Sequence, residues 1–216
     1  MDRYYFEEYI KTLNLDSPTI QYQKISSINS DLKLQLAKMY CTLFNADNKN
    51  FIAMFGTTGR TVPEGLWTEE PYSIDTALSL ILDYMSAKYI GIVATTGIPG
   101  LDEIKALGAC IYKKSSFDEL SSKGYEVPFL VPDSVELWSG IDTFRRPAQI
   151  QSQPLKDLSS KMRNELVNSY KTKNSILMYS STNNPVMVNA LKKDNFTIVE
   201  KLTTFGNRFQ AFKIIS

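Results

Sequence analysis

The hydrophobic positions along the chain alternate between a helical and an extended spacing, and the changes of spacing divide the chain into predicted elements. Apolar residues recur every three or four positions in several segments, which predicts helices there: residues 4–15, 30–44, 74–85, 155–170 and 185–193. Short alternating or continuously apolar runs predict strands: residues 19–25, 89–94, 107–112, 135–144, 175–180, 196–202 and 209–215.

Polar residues at the ends of these segments have the chemistry of helix caps. Asn29 or Ser30 can cap one helix and Ser73 the next, because short oxygen-bearing side chains accept from the first free N–H groups. Asn184 with Pro185 forms an N-cap and first-turn pair for the last helix. Asn195 can adopt the left-handed conformation that usually requires glycine after a helix.

The order of elements predicts one mixed sheet. The strands at 89–94 and 107–112 form an antiparallel pair around a turn at 95–100, and residues 115–133 are polar and predicted to be irregular. A strand–helix–strand unit over 135–180 implies that its two strands run parallel inside an otherwise antiparallel sheet. We therefore predict an α/β fold in one domain over residues 1–216, with residues 1–16 as an N-terminal helical appendage.

Composition places the chain among ordinary folded proteins. It has 216 residues, of which 43% are hydrophobic and 22% charged, and this balance excludes disordered and collagen-like chains. No apolar run approaches the ~18 residues that span a bilayer, and the first residues are too charged for a signal peptide. The expectation is a cytoplasmic protein without a membrane partner.

The chain contains no histidine, which removes mechanisms that pair a serine or cysteine with histidine, and all histidine metal sites. Its two cysteines, Cys41 and Cys110, are far apart in sequence and lack a metal-binding spacing. No metal site or disulfide framework is therefore predicted.

Charge is distributed unevenly although its total is only +1. Residues 1–144 carry 12 basic and 19 acidic side chains (12 − 19 = −7), whereas residues 145–216 carry 12 and 4 (12 − 4 = +8). The basic final third of the sequence would attract a ligand with phosphates, and the acidic part before it would attract an amine. The alternative is that both regions form ordinary solvent-exposed surfaces. The aromatic residues do not interleave with a basic stripe, so nucleic-acid binding is not expected.

The stretch from Val135 to Phe196 resembles the GNAT family of acyltransferases. That family has a strand, a phosphate-binding loop, a helix, a strand and a second helix that begins Asn-Pro. Asn184, Pro185, Lys193 and Phe196 match the second helix at the family spacing. The resemblance implies a GNAT-like sheet, mostly antiparallel with one parallel central pair flanked by helices, and acetyl-CoA or another acyl-CoA as co-substrate.

The resemblance also implies where coenzyme A would bind. Backbone groups on the strand would pair with the pantetheine arm, the loop after the strand would hold the pyrophosphate, and the Asn-Pro helix would bond to the arm. Carried over residue by residue, these contacts fall on Ile141, Asp142, Thr143, Arg146, Gln149, Gln151, Ser152 and Asn184.

The phosphate-binding loop departs from the family pattern. Gln149 and Gln151 stand where the family has small residues that let the backbone approach the phosphates, and Pro147 removes one N–H donor. Each lost donor would cost about 1–3 kcal/mol, although the glutamine amides can donate in their place.

Catalysis in the family uses a general base on the central strands and often a tyrosine as general acid. Glu136 and Asp142 are the carboxylates on the strand before the loop, and Glu136 is the expected base, with an exposed or ion-paired strand carboxylate as the alternative. Leu191 occupies the tyrosine position. Tyr179 could supply the acid, or could instead be packed in the sheet.

The predicted function is N-acyl transfer from acyl-CoA to an amine acceptor, either a small molecule or a peptide. The alternative is a catalytically inactive GNAT-fold module that binds a ligand or a protein partner. An interaction protein whose N-terminal helix docks a partner is a third, weaker hypothesis, and a homodimer is left open.

Overall fold

The computed structural model describes eight stretches of the chain: residues 20–45, 73–98, 101–122, 124–132, 134–145, 157–182, 185–203 and 206–216. The predicted helix at 4–15 lies outside these residues, as does the predicted phosphate-binding loop from Arg146 to Ser152. None of the helices in these stretches is long and apolar enough to cross a membrane.

Seven strands and five α-helices are formed by the described residues. The strands are β1 (Ile20–Lys24), β2 (Tyr89–Ile98), β3 (Leu101–Ser115), β4 (Val135–Arg145), β5 (Ser175–Thr182), β6 (Thr197–Thr203) and β7 (Gly206–Ile215). The helices are α1 (Ser30–Asn45), α2 (Ile74–Tyr84), α3 (Phe117–Ser122), α4 (Leu158–Tyr170) and α5 (Pro185–Lys193), and a 3-10 turn covers Ile25–Ser27.

All seven strands belong to one sheet in the order β1-β2-β3-β4-β5-β7-β6. The central β4 and β5 run parallel, whereas every other neighbouring pair is antiparallel. This arrangement confirms the predicted mixed α/β sheet with one parallel pair flanked by helices.

Helices cover both faces of the sheet, and side chains alternate between the two faces along each strand. On what we call the α4 face, Trp138 and Met178 pack against α4 through Leu158 and Met162. On the opposite face, the α1 face, Val93 and Ile111 pack against α1 and α2. Further along the α1 face, Leu137, Leu177, Tyr179 and Phe212 form a second cluster with Leu120 of α3.

The predicted caps are found at three helix ends. The Asn29 side chain accepts from Leu32 N at 2.9 Å, so Asn29 rather than Ser30 caps α1. Ser73 Oγ accepts from Thr76 N at 3.0 Å at the start of α2. Asn195 has a φ of 62° after α5, the left-handed conformation that its short polar side chain tolerates.

The predicted turn at 95–100 and the predicted irregular segment at 115–133 both differ from the structure. The turn expected at 95–100 is shorter, because β2 continues to Ile98 and β3 begins at Leu101; its polar residues Thr95 and Thr96 are buried inside the sheet. The segment expected to be irregular contains α3, whose start is stabilised by Ser116 Oγ accepting from Glu119 N at 3.1 Å.

A buried ion pair joins α4 to the residue that follows α5. Arg163 on α4 is only 4% exposed, and its guanidinium donates to the Asp194 carboxylate. Ser160 Oγ donates to the same carboxylate. Because the two opposite charges neutralise each other where water is excluded, the ion pair holds α4 and the end of α5 together on the α4 face.

Candidate active site

The parallel strands β4 and β5 are paired along only part of their length. Their pairing runs from Val135 opposite Ser175 to Ser139 opposite Tyr179. Beyond that point β4 continues against β3 as far as Arg145, and β5 continues against β7 as far as Thr182. In the described ranges no strand pairs with either extension on the facing side; we call the space between them the fork.

A β-bulge accounts for the divergence of the strands. Tyr112 of β3 lies opposite Gly140 and the preceding Ile111 opposite Asp142, so Ile141 is an extra residue on β4. A bulge bends its strand and increases the local twist. It occurs two residues after the last β4–β5 pair, where bending leads β4 away from β5.

Gly140 lies at the base of the fork, where the two strands are in close contact. A Cβ atom at this position would lie 2.6 Å from Ser180 Oγ and 3.2 Å from the Tyr179 carbonyl oxygen. The hydroxyl groups of Tyr112 and Ser180 are 3.1 Å apart and hydrogen-bonded beside it. Glycine therefore allows a pair of hydroxyls to sit at the base of the fork, on the α4 face.

The bulge also determines the face on which each β4 side chain lies. Asp142 is opposite Ile111, a core residue of the α1 face, and its carboxylate accepts from the Tyr84 hydroxyl at 3.2 Å. Thr143 lies on the α4 face, where its hydroxyl is 3.5 Å from Cys110 Sγ. The three predicted pantetheine contacts, Ile141 to Thr143, thus all lie on the β4 arm of the fork.

Tyr179 lies in the last β4–β5 pair, on the α1 face. Its ring centre is 5.4 Å from that of Tyr125 and 5.2 Å from that of Phe212. Burial raises the pKa of its hydroxyl above the ordinary tyrosine value, so the group stays protonated near neutral pH. Tyr179 is therefore packed in the sheet, one of the two arrangements that the sequence left open, while lying directly beside the fork.

Glu136 lies at the opposite end of β4, on the α4 face that it shares with Trp138. Its carboxylate pairs with Lys114 at 2.9 Å and accepts from Thr172 Oγ1 at 2.7 Å and from Trp138 Nε1 at 3.2 Å. The Lys114 and Thr172 hydrogen bonds lower its pKa to about 2. At about 3.3 Å per residue it is roughly 13 Å from Gly140, so the geometry favours the ion-paired carboxylate over a base at the fork.

The predicted pyrophosphate contacts Arg146, Gln149, Gln151 and Ser152 lie outside the described residues, as does Asn184. The flanking residues are described. Asp157 precedes the first turn of α4 with a φ of 62°, and its charge acts on Arg145 at the end of β4: burial lowers the pKa of Arg145 and the Asp157 carboxylate opposes this. A carboxylate thus stands at the helix end where the family resemblance places phosphates.

The residues that sequence reasoning missed all lie inside strands. Tyr112 and Ser180 belong to runs that predict packing alone, and Arg208 and Gln210 belong to the closing hairpin. A weak signal exists for one of them, because Gln210 stands between the apolar residues Phe209 and Ala211. In the described part of the chain, no cluster of cysteine, aspartate and glutamate side chains could hold a metal ion.

Neither family models nor curated proteins gave a match to this chain. Comparison with solved structures gave many matches. A protein of Desulfovibrio desulfuricans assigned to the GNAT family of acetyltransferases superposes with a TM-score of 0.52 at 9% identity, over 92% of this chain and 100% of that one. The chain has the GNAT fold.

Two further structures with this fold carry ligands. NAA60 of Arabidopsis thaliana, described with a bisubstrate analogue, matches with a TM-score of 0.52 at 10% identity, over 92% of this chain and 100% of that one; it is also described with acetyl-CoA. The NatC complex bound to Gag peptide and CoA matches with a TM-score of 0.51 at 12% identity, over 91% and 99% of the two chains. Each of these matches covers at least 91% of this chain.

Proposed function

We propose that this protein is an acyl-CoA-dependent N-acyltransferase that moves an acetyl or other acyl group to an amine. The observation that carries the proposal is the fork, where β4 and β5 stop pairing after Ser139 and Tyr179. NAA60 and NatC, which share the fold, are described with acetyl-CoA and with CoA and a peptide. Their ligands support an acyl-CoA and an amine acceptor here.

The pantetheine arm would lie along β4 between Ile141 and Thr143. This part of β4 pairs with β3 on one side only, so the peptide groups that point into the fork can bond to the amides of the arm. The bulge at Ile141 turns consecutive peptide groups in different directions. That arrangement suits a ligand that carries both a donor and an acceptor.

The diphosphate would bind between the end of β4 and the start of α4. The first N–H groups of a helix are free to bind an anion, and the chain from residue 145 onward carries a net charge of +8 (12 − 4). We assign Arg146, Gln149, Gln151 and Ser152 to the phosphates and Asn184 to the arm. The glutamine amides would donate the hydrogen bonds that a glycine-rich loop donates through its backbone.

The reaction would be a direct attack of the amine on the thioester. The amine nitrogen bonds to the acyl carbon, the carbon–sulfur bond breaks, the thiolate leaves and the amine loses one proton to a base. Of the two carboxylates on β4, only Asp142 lies on an arm of the fork, so we propose Asp142 as that base. Correct placement of the two substrates would supply much of the rate.

The hydroxyl pair of Ser180 and Tyr112 would protonate the departing thiolate. Leu191 stands where the family has tyrosine and is buried, so that position cannot donate a proton. Ser180 lies at the base of the fork and is hydrogen-bonded to Tyr112. Burial raises the pKa of Tyr112 above its ordinary value, which keeps its hydroxyl protonated and able to donate to Ser180.

A catalytically inactive module is the second candidate, and two observations favour it. The family's acid position holds a buried leucine, Leu191, and a carboxylate, Asp157, stands at the start of α4. Such a module would still contain the fork between β4 and β5. It would bind coenzyme A or another ligand without releasing free thiol.

Two measurements separate these candidates. Calorimetric titration with acetyl-CoA is expected to give binding at submillimolar concentration, and a panel of amines is expected to include one that releases free thiol. Ser180→Ala should lower kcat about tenfold to a hundredfold, which is the low end of a general-acid contribution, while Ser169→Ala on α4 should leave it unchanged. Binding without thiol release from any amine would favour the module, and no binding of acetyl-CoA would overturn the acyltransferase proposal.

A further inference from the structure

We propose that the α1 face beside the fork holds a carboxylate-binding subsite formed by Tyr179, Arg208 and Gln210, and that the acceptor amine therefore carries a carboxylate group. The binding site stands on the geometry of β5 and β7. Its role in substrate choice rests on the proposed acyltransferase function.

The side chains of this subsite are brought together by strand register. Tyr179 of β5 lies opposite Phe212 of β7, and Ser181 lies opposite Gln210. Tyr179 and Phe212 belong to the same core cluster on the α1 face. Because side chains two residues apart share a face, Ser181, Arg208 and Gln210 lie on that face too.

One hydrogen-bond donor of this subsite is buried without a partner. Gln210 is 2% exposed, and in the described part of the protein its Nε2 has no hydrogen-bond partner. Tyr179 is 6% exposed, and its hydroxyl interacts with Ser181 and Tyr125. A buried unpaired donor is rare in folded proteins because leaving it unpaired costs free energy. A ligand with acceptor oxygens would satisfy Gln210 Nε2.

Arg208 supplies the charge that selects an anionic acceptor group. Its Nε donates to Ser181 Oγ, which fixes the guanidinium over the end of β5 and leaves its two terminal nitrogens to donate further. It takes part in none of the ion pairs formed among the described residues. A planar guanidinium beside amide and hydroxyl donors matches the two oxygens of a carboxylate.

The position of the subsite next to the fork defines the acceptor. Tyr179 is a member of the last β4–β5 pair, so the subsite adjoins the place where the thioester would lie. Asp142 lies on the same face on the other arm of the fork. An acid on one arm and donors on the other suit a molecule with an ammonium group and a carboxylate, such as a free amino acid.

Binding of the expected product tests the subsite without requiring catalysis. N-acetyl-L-phenylalanine and its primary amide differ only in the carboxylate, and calorimetric titration should show that the acid binds at least tenfold more tightly. Arg208→Gln should abolish that preference, whereas Lys192→Gln, which removes an exposed positive charge on α5, should preserve it. Equal binding of acid and amide by the unaltered protein, or a preference retained in Arg208→Gln, would overturn the proposal.

Removing the unpartnered donor distinguishes a binding role from a structural one. Gln210→Leu should leave the thermal midpoint unchanged or raise it, because it deletes a buried donor that no described protein group satisfies. The same variant should weaken binding of the acid at least fivefold and leave binding of the amide unchanged. A lowered midpoint with unchanged ligand binding would show that Gln210 is structural and would overturn the proposal.

An activity assay separates this proposal from the proposed function and identifies the source of the carboxylate. With acetyl-CoA, free L-phenylalanine is expected to release thiol at least tenfold faster than L-phenylalaninamide. An Asp-Phe dipeptide amide tests a side-chain carboxylate on a peptide and should react no faster than Ala-Phe amide. If phenylalaninamide reacts as fast as phenylalanine, the subsite proposal fails and the acyltransferase proposal stands. If N-acetyl-L-phenylalanine binds more tightly than its amide but no amine reacts, the subsite proposal stands and the acyltransferase proposal fails.

Discussion

At the scale of single residues, the position of a carboxylate relative to the β4 bulge determines what it can do. Asp142 follows the bulge and lies on the α1 face beside the fork. Glu136 precedes it and is held on the α4 face by Lys114, Thr172 and Trp138. The two carboxylates are on one strand, yet only Asp142 borders the space proposed for the thioester.

Glu136→Gln is expected to leave kcat/KM within twofold of the unaltered protein and to lower stability slightly. Lys114 is half exposed, so the ion pair contributes about 1 kcal/mol or less. Because the folded-state pKa of Glu136 is lowered from 4.5 to about 2, this contribution is complete above about pH 4.5 and is lost as the pH falls toward 2. Urea unfolding at pH 7 and pH 3, with the thiol-release assay, measures both effects.

The companion variant is Asp142→Asn, which is expected to lower kcat about a hundredfold at pH 7 because it removes the proposed base. A large loss of activity in Glu136→Gln with full activity in Asp142→Asn would reverse the assignment of the two carboxylates.

At the scale of elements, the α4 helix connects the candidate site to the α4-face core. Its first turn follows Asp157, beside the end of β4. Its middle is fixed to the end of α5 through Arg163 and Asp194, and Lys213 Nζ of β7 donates to the Asp194 carbonyl at 2.7 Å. The helix is thereby linked to β4 at its start and, through Asp194, to β7.

Asp194→Asn is expected to lower the free energy of unfolding by about 3–5 kcal/mol, because it leaves the buried Arg163 charge uncompensated. Arg163→Met combined with Asp194→Leu removes both charges and should cost less than the single change. Urea unfolding of the three proteins gives the comparison. A double variant that is less stable than Asp194→Asn would contradict this account of the pair.

Asp157→Asn is expected to strengthen acetyl-CoA binding about twofold to fivefold at low salt, because a negative charge at a helix N-terminus opposes a bound diphosphate. Asparagine tolerates the left-handed conformation of this position as well as aspartate does. Glu165→Gln, a matched loss of charge in the middle of α4, should leave affinity unchanged. Unchanged or weaker binding in Asp157→Asn would argue against phosphates at this helix end.

The elements were largely predictable from the sequence, and the site was predictable only in part. Helical spacing and cap chemistry located α1 and α2, and the strand–helix–strand order gave the parallel pair. The face assignment on β4 was not predictable, because one extra residue at Ile141 reverses the alternation and leaves no local pattern. The contacts of Ser180 with Tyr112 and of Arg163 with Asp194 join residues 68 and 31 positions apart, which a single sequence does not reveal.

At the scale of the whole molecule, the strand order creates the fork. β4 and β5 are neighbours in the centre of the sheet, but beyond their last pair β4 continues to pair with β3 and β5 continues to pair with β7. The net charge changes sign close to the same place, from −7 before Arg145 to +8 from Arg145 onward (12 − 19 and 12 − 4). An anionic co-substrate and an amine acceptor could therefore approach the fork from regions of opposite charge.

Hydrogen exchange of the backbone amides with and without acetyl-CoA tests the central claim that the fork binds the acyl donor. Amides in residues 140–145 of β4 are expected to exchange more slowly when acetyl-CoA is present, since their free groups would bond to the pantetheine arm. Amides in residues 135–139, which are already paired with β5, should change little. Protection confined to other parts of the chain, or none at saturating acetyl-CoA, would contradict the account.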